Sequence, residues 1–152
     1  MSLDKTNITV IDAENHIMGR LASIIAKRLL NGENIVVVNA EKIVITGSKK
    51  WIQDHYTQKI HRRTLTAPWK GPFQPRRPDR FFKRVVRGML PWKTPRGRTA
   101  YKRLRVYIGI PDELKNSEFE KIKDIINKKP LARVFTLGEL CRRIGWTTQG
   151  EV

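Results

Sequence analysis

"ITVIDAENHIMGRLASIIAKRLLNGENIVVVNA", residues Ile8 to Ala40, changes its hydrophobic period twice, and those two changes decide the fold class. Ile8 to Asp12 reads as a short strand. Met18 to Leu30 then places Leu21, Ile24, Ile25 and Leu29 on one helical face, and Asn31-Gly32 supplies a stop. Asn34 to Ala40 is β-branched and apolar at successive positions, the pattern of a strand covered on both faces. Strand, helix and strand in that order imply a right-handed parallel crossover.

The flanking sequence extends this unit. Ile43 to Thr46 reads as a further apolar strand and Gly47 as a turn. Ser48 is placed to cap a helix from about Lys49, with Trp51, Ile52, Tyr56 and Ile60 on its inner side. Much later, Leu104 to Gly109 reads as one more strand, ended by Pro111. The fold class expected is α/β, a small parallel sheet with helices on both faces. At 152 residues the chain suits one domain with a real core.

Charge is the second organising fact. The chain carries 31 Lys and Arg against 14 Asp and Glu, a formal net charge of +17. From Lys49 to Arg105 there are 18 bases and two acids, Asp54 and Asp79, so this middle segment carries +16 and the two ends together about one more. Self-repulsion at that density is costly unless an anionic partner relieves it, and a polyphosphate backbone is the commonest such partner. No run approaches the ~20 apolar residues that span a bilayer. The opening "MSLDKTNITV" lacks a basic-then-apolar signal pattern, so a cytoplasmic protein without a membrane partner is expected.

The grammar changes inside the basic segment. His61 to Pro78, "HRRTLTAPWKGPFQPRRP", holds four prolines and no period, and reads as an extended arm. Asp79 to Leu90 recovers helical spacing, with Asp79 as cap, Phe82, Val85, Val86 and Met89 inward, and Arg80, Lys83, Arg84 and Arg87 outward. In "RGMLPWKTPRGR", Met89 and Leu90 anchor the helix end, Pro91 and Pro95 stiffen the exit, and Gly88 and Gly97 permit close backbone approach to something bulky. Cations interleaved with Trp69, Phe73 and Trp92 offer phosphate contacts beside flat faces for unpaired bases, which suits irregular folded RNA better than regular duplex DNA. The candidate contacts are Lys49, Lys50, Arg62, Arg63, Lys70, Arg76, Arg77, Arg80, Lys83, Arg84, Arg87, Lys93, Arg96, Arg98, Lys102 and Arg103, with Trp69 and Trp92 as candidate stacking surfaces. Trp51 and Phe82 are read as core.

Beyond Pro111, Ser117 to Lys129 has helical spacing through Phe119, Ile122, Ile125 and Ile126 and is expected to dock on the sheet as a helix. Thr136 to Trp146 carries a capping box, Thr136 with Glu139, and resembles the first helix and turn of a helix-turn-helix. A DNA-binding regulator is the alternative this opens, but only "TTQGEV" follows Trp146, too short for a recognition helix. A nucleotide-binding α/β enzyme is the other alternative. "ITGSKK" follows a strand, yet neither GxGxxG nor GxxxxGK[ST] occurs. His16, His55 and His61 form no metal-ligand pattern, and Asp54-His55 reads as polar surface. Cys141, the one cysteine, reads as a small buried apolar residue.

Three separated motifs, "VIDAENHIMGRLASIIAKRLL", "VVNAEKIVITG" and "FKRVVRGMLPWKTPRGRTAYKRLRVYIG", resemble, in order, the signatures of the large-subunit ribosomal protein L-thirteen family over Val10 to Pro111. The approach "WKGPFQPRRPDRFF" is similar to the archaeal and eukaryotic branch. The end of the chain lacks the long extension typical of eukaryotic members, which points to an archaeal source. The resemblance implies a three-layer α/β/α fold with a four-stranded parallel sheet and a basic loop and helix insertion at about 49–105, followed by a helical tail at about 112–152. It implies a structural, non-enzymatic role on 23S-type large-subunit ribosomal RNA from early in assembly. Neighbouring ribosomal proteins are the implied partners, with no cofactor, metal or small-molecule substrate.

Overall fold

Four β-strands run parallel in the order β4, β2, β1, β5, with β1 at Ile8–Asp12, β2 at Asn34–Val38, β4 at Leu104–Val106 and β5 at Phe119–Glu120. The computed structural model describes residues 8–128 and 133–147. β1 and β2 pair in register from Ile8 opposite Asn34 to Asp12 opposite Val38. Helix α1, Met18–Leu30, makes the crossover between them. Its Leu21, Ile25 and Leu29 are fully buried, as the spacing requires, and Ile24 packs at the rim of the same core. The chain leaves α1 through Asn31 and Gly32, whose φ of +104° is the left-handed geometry that a glycine adopts cheaply. β4 pairs with β2, and backbone bonds from Asn39 to Gly109 and from Ala40 to Tyr107 carry the association past the strand ends.

Alternation along these strands sorts the apolar residues to two sides. Ile11, Ile35 and Val37 face a large core that takes in residues of all five α-helices among the described residues, including Phe81, Phe82 and Val86 of α3 (Pro78–Met89), Ala100 of α4 (Pro95–Lys102), Ile52 of α2 (Lys49–His61) and Leu140 of α5 (Leu137–Arg143). Val10, Val36 and Val38 face the other way, toward Ile8, Tyr107, Leu114 and Phe119. The α/β class and the four-stranded parallel sheet agree with expectation, while the helical cover is uneven. Among the described residues the second face is lined by strand and turn residues.

Two elements differ from expectation. The segment Val44–Thr46, β3, stands apart from the main sheet and pairs antiparallel with β6, Val134–Thr136, which leads directly into α5. The expected helix over 117–129, whose last residue lies outside the described residues, is instead the edge strand β5 followed by a single 3-10 turn at Lys123–Ile125. The free edge of β1 is the physical reason: a strand satisfies its open backbone donors and acceptors and a docked helix does not. Phe119 sits opposite Val10, and Glu120, opposite Ile11, grips Arg28 of α1 with two bonds of 2.6 and 2.7 Å. The residues that imitated a helical stripe then part company, Phe119 to the second face, Ile122 and Ile125 to the main core. The terminal "TQGEV" lies outside the described residues.

Candidate nucleic-acid interface

Helix α3 is the axis of the site. Pro78 occupies its first position, where the missing N–H is no loss and the fixed φ suits a helix, and Arg77 is the cap residue. Asp79 therefore sits inside the first turn, not at the cap as expected. There its carboxylate suits the helix dipole and pairs with Arg77 at 3.2 Å. With Phe81, Phe82 and Val86 buried, the opposite side presents Arg80 and Arg84 to solvent, with Lys83 and Arg87 half-buried between them. The Lys83 ammonium lies 5.0 Å from the centre of the Tyr101 ring and the Arg87 guanidinium 4.4 Å from that of Trp92. Burial lowers the Lys83 pKa, as does Arg105, against an opposing pull from Asp79.

The turn after α3 is built, not merely stiff. Leu90 is buried and anchors it, whereas Met89, expected inward, is 43% exposed. Trp92 N–H donates to Leu90 O at 2.7 Å, and Thr94 N–H donates to Pro91 O at 3.0 Å. The Thr94 hydroxyl also donates to Pro91 O and accepts from Gly97 N–H, capping α4, which opens with Pro95. This helix is an addition to the expected elements, although Thr-Pro is a cap followed by a first-turn proline, so the signal is present in the sequence. Gly97 does permit a close approach, but to its own chain: a Cβ at this position would lie 2.2 Å from Pro91 O. Trp92 packs edge-on against Tyr101, with centroids 5.0 Å apart, so it braces α3 against α4 as well as lying beneath Arg87.

The arm between α2 and α3 carries Arg62, Arg63, Lys70, Arg76 and Arg77, with one 3-10 turn at Pro68–Lys70. Trp69 and Phe73 are 68% and 72% exposed. Phe73, Gln74 and Pro75 form one wall of a groove whose other wall is Arg80, Lys83, Arg84 and Arg87. A second depression runs from Arg84 and Arg87 through Trp92 to Lys93 and Thr94. The structure thus brings Arg80, Lys83, Arg84, Arg87, Trp92 and Lys93 together around one ridge, with Arg96, Arg98 and Lys102 exposed on α4. Gln74 and Tyr101, which line the first groove, escape the sequence reading because nothing in their local sequence marks them. Three candidates are positioned elsewhere. Arg103 donates to Leu29 O, at the carbonyl end of α1. Lys49 and Lys50 open α2.

Electrostatics separates this ridge from the scaffold. On the scaffold several cations are paired, Arg28 with Glu120, Lys42 with Glu14, Lys121 with Asp12 and Glu14, and Arg143 with Glu139, whereas beside the ridge the pair is Arg77 with Asp79. The Asp12 pKa is pushed up by burial, but the Asn39 amide, the Glu14 backbone N–H and Lys121 outweigh that and leave it lowered. Other reactive groups are occupied. His16 is buried, with Nδ1 2.8 Å from Glu14 O, and Nε2 accepts from Ile122 N–H at 3.1 Å. His55 is stacked on Trp51. Cys141 is buried and its thiol is pushed up to about 12, chiefly by desolvation and further by Asp79, so it is a poor nucleophile. Among the described residues no group of three or more metal-ligating side chains converges.

Comparison with known proteins follows the same outline. The family profile described as Ribosomal protein L13 matches residues 6–113. A relative from Archaeoglobus fulgidus, large ribosomal subunit protein uL13, is 56% identical over 142 residues, covering 92% of this chain and 89% of its own. Its counterpart of the same name in Methanopyrus kandleri is 52% identical over 152 residues, covering 97% and 93%. The one in Methanocaldococcus jannaschii is 48% identical over 139 residues, covering 91% and 98%.

Proposed function

Because the chain belongs to the ribosomal protein L13 family and is a structural constituent of the large ribosomal subunit, not an enzyme, we propose that it binds large-subunit ribosomal RNA through the ridge of α3, the arm before it and the turn and helix after it. The observation that carries this reading is α3 itself. One side is locked into the core by Phe81, Phe82 and Val86, which holds Arg80, Lys83, Arg84 and Arg87 outward on a rigid element. Cations held in place lose less freedom on meeting phosphates than cations on a loose chain. Arg84 and Arg87 line both depressions, so a folded RNA backbone seated in either one meets the same guanidinium groups.

On this reading the whole chain acts as one domain in the cytoplasm, with 49–105 as its RNA-binding insertion and the near-neutral remainder meeting neighbouring ribosomal proteins. Neutralising phosphates at several points lets RNA segments approach, which suits a role early in subunit assembly. The test is a pair of salt titrations with transcribed large-subunit ribosomal RNA. Replacing Arg80 and Arg84 by Ala is expected to weaken binding and to flatten the dependence of log affinity on log salt by roughly 0.7–0.9 for each phosphate that is no longer neutralised. The melting temperature is expected to stay near that of the parent, since both side chains are exposed. An unchanged affinity and slope would refute the ridge as the RNA site.

A further inference from the structure

The helical spacing of α2 directs Trp51 to the core, yet the side chain is 63% exposed. Its ring is not loose. It lies parallel to His55, four residues on along α2, with centroids 4.9 Å apart and planes 11° from each other. His55 meets Tyr56 edge-on at 5.3 Å, and Tyr56 meets the buried Phe81 at 5.2 Å. A ladder of rings therefore runs from the core of α3 outward and ends in an indole whose outer face is open. Holding a large apolar ring flat in water forgoes the stabilisation that burial brings, while it removes most of the ordering cost of adding one more flat ring to the stack.

The charge around this ring selects the guest. Lys49 and Lys50 immediately precede it and are exposed, and the first turn of α2 holds no acid. Two cations at the positive end of a helix dipole repel the helix that carries them, a cost that a phosphate reverses. Asp54, one turn further on, is the acid nearest in sequence. We propose that the Trp51–His55 stack is a docking platform for a single unpaired nucleobase of ribosomal RNA, with Lys49 and Lys50 holding the phosphate beside it. The platform is a second contact distinct from the α3 ridge, and it rests on the RNA-binding reading above. Base stacking is tolerant of sequence, so the platform recognises an exposed nucleotide, not a particular base.

Replacing Trp51 by Ala is expected to lower affinity for transcribed large-subunit ribosomal RNA about ten- to a hundredfold, with the salt slope unchanged because the indole neutralises no phosphate. Trp51→Phe keeps a flat ring and is expected to recover most of the affinity. Lys49→Ala with Lys50→Ala is expected to flatten the slope instead. Ultraviolet cross-linking should join Trp51 to an unpaired nucleotide. If Trp51→Ala binds like the parent while Arg80→Ala with Arg84→Ala does not, the platform is overturned, the RNA reading stands, and the indole is left as a surface for a neighbouring protein. If neither variant weakens binding, both readings fall.

Discussion

Gly97 shows how a single residue can be read correctly as needed and wrongly as to why. Glycine at this point of the turn looks like an opening for a ligand, yet the space it vacates is filled by the Pro91 carbonyl, 2.2 Å from where a Cβ would stand. Backbone cannot swing aside as a flexible side chain would, so Gly97→Ala is predicted to cost roughly 1–3 kcal/mol, as overpacking does. Urea denaturation measures this, and a variant as stable as the parent would contradict the geometry. The tryptophans teach a related lesson. Trp51 falls in the inner-face pattern of α2, but Ile52 alone goes fully into the core and Trp51 turns out onto His55. Trp92 reads as a stacking surface, and it is engaged by Tyr101 in a T-shaped contact and by the Arg87 guanidinium over its ring. Residue type announces that a ring will find a partner; the neighbours decide which.

At the scale of elements, the helices with strong apolar stripes, α1 and α3, are legible to within a residue or two, and β5 is not. Two residues of strand leave no period to read. What holds β5 is long-range, the edge of β1 and the Arg28–Glu120 pair, which joins the strand to the crossover helix. The hydrogen bonds from Arg28 lower the Glu120 pKa below its ordinary value of 4.5, against a smaller rise from burial. The folded value lies below the unfolded one, so the stabilisation is complete above 4.5 and is lost as pH falls through the depressed folded value. Both side chains are partly solvated, which keeps the amplitude modest. Glu120→Gln is predicted to reduce stability at neutral pH and to flatten the acid limb of the stability profile. Chemical denaturation at pH 7 and at successive steps below 4.5 checks this, and an acid limb identical to that of the parent would show that the pair contributes nothing.

For the molecule as a whole, the question is how a +16 segment is tolerated. The structure divides it. Arg103 is drawn into a scaffold contact at Leu29 O, α3 displays Arg80, Lys83, Arg84 and Arg87 from a buried base, the arm spreads five more cations over 62–77, and the others lie on α2, in the turn after α3, on α4 and on β4. Within that arm the backbone bonds are those of a single turn, Lys70 to Ala67 and Gly71 to Pro68. Ordering the other residues costs about 1–2 kcal/mol each in backbone entropy, with little apolar burial to offset it. The amides of the arm are predicted to exchange fast in the free protein and to become protected on ribosomal RNA, where phosphates remove the repulsion and Trp69 and Phe73 find bases. Hydrogen exchange with and without RNA reads this directly. Strong protection in both states would make the arm a preformed part of the fold.

What the chain alone determined was everything carried by local period and by composition: the β1–α1–β2 crossover, the burial of Leu21, Ile25 and Leu29, the division of α3 into apolar and cationic sides, and the concentration of charge that points to a polyphosphate partner. Tertiary structure decided what depends on residues far apart in sequence meeting. It gave Phe119 to the edge of β1 instead of a helix, paired β3 with β6, set Trp92 between Arg87 and Tyr101, and turned Trp51 outward. Each of these outcomes depends on which backbone edges and which faces of neighbouring elements are still open when the segment arrives, and no window of local sequence contains that information.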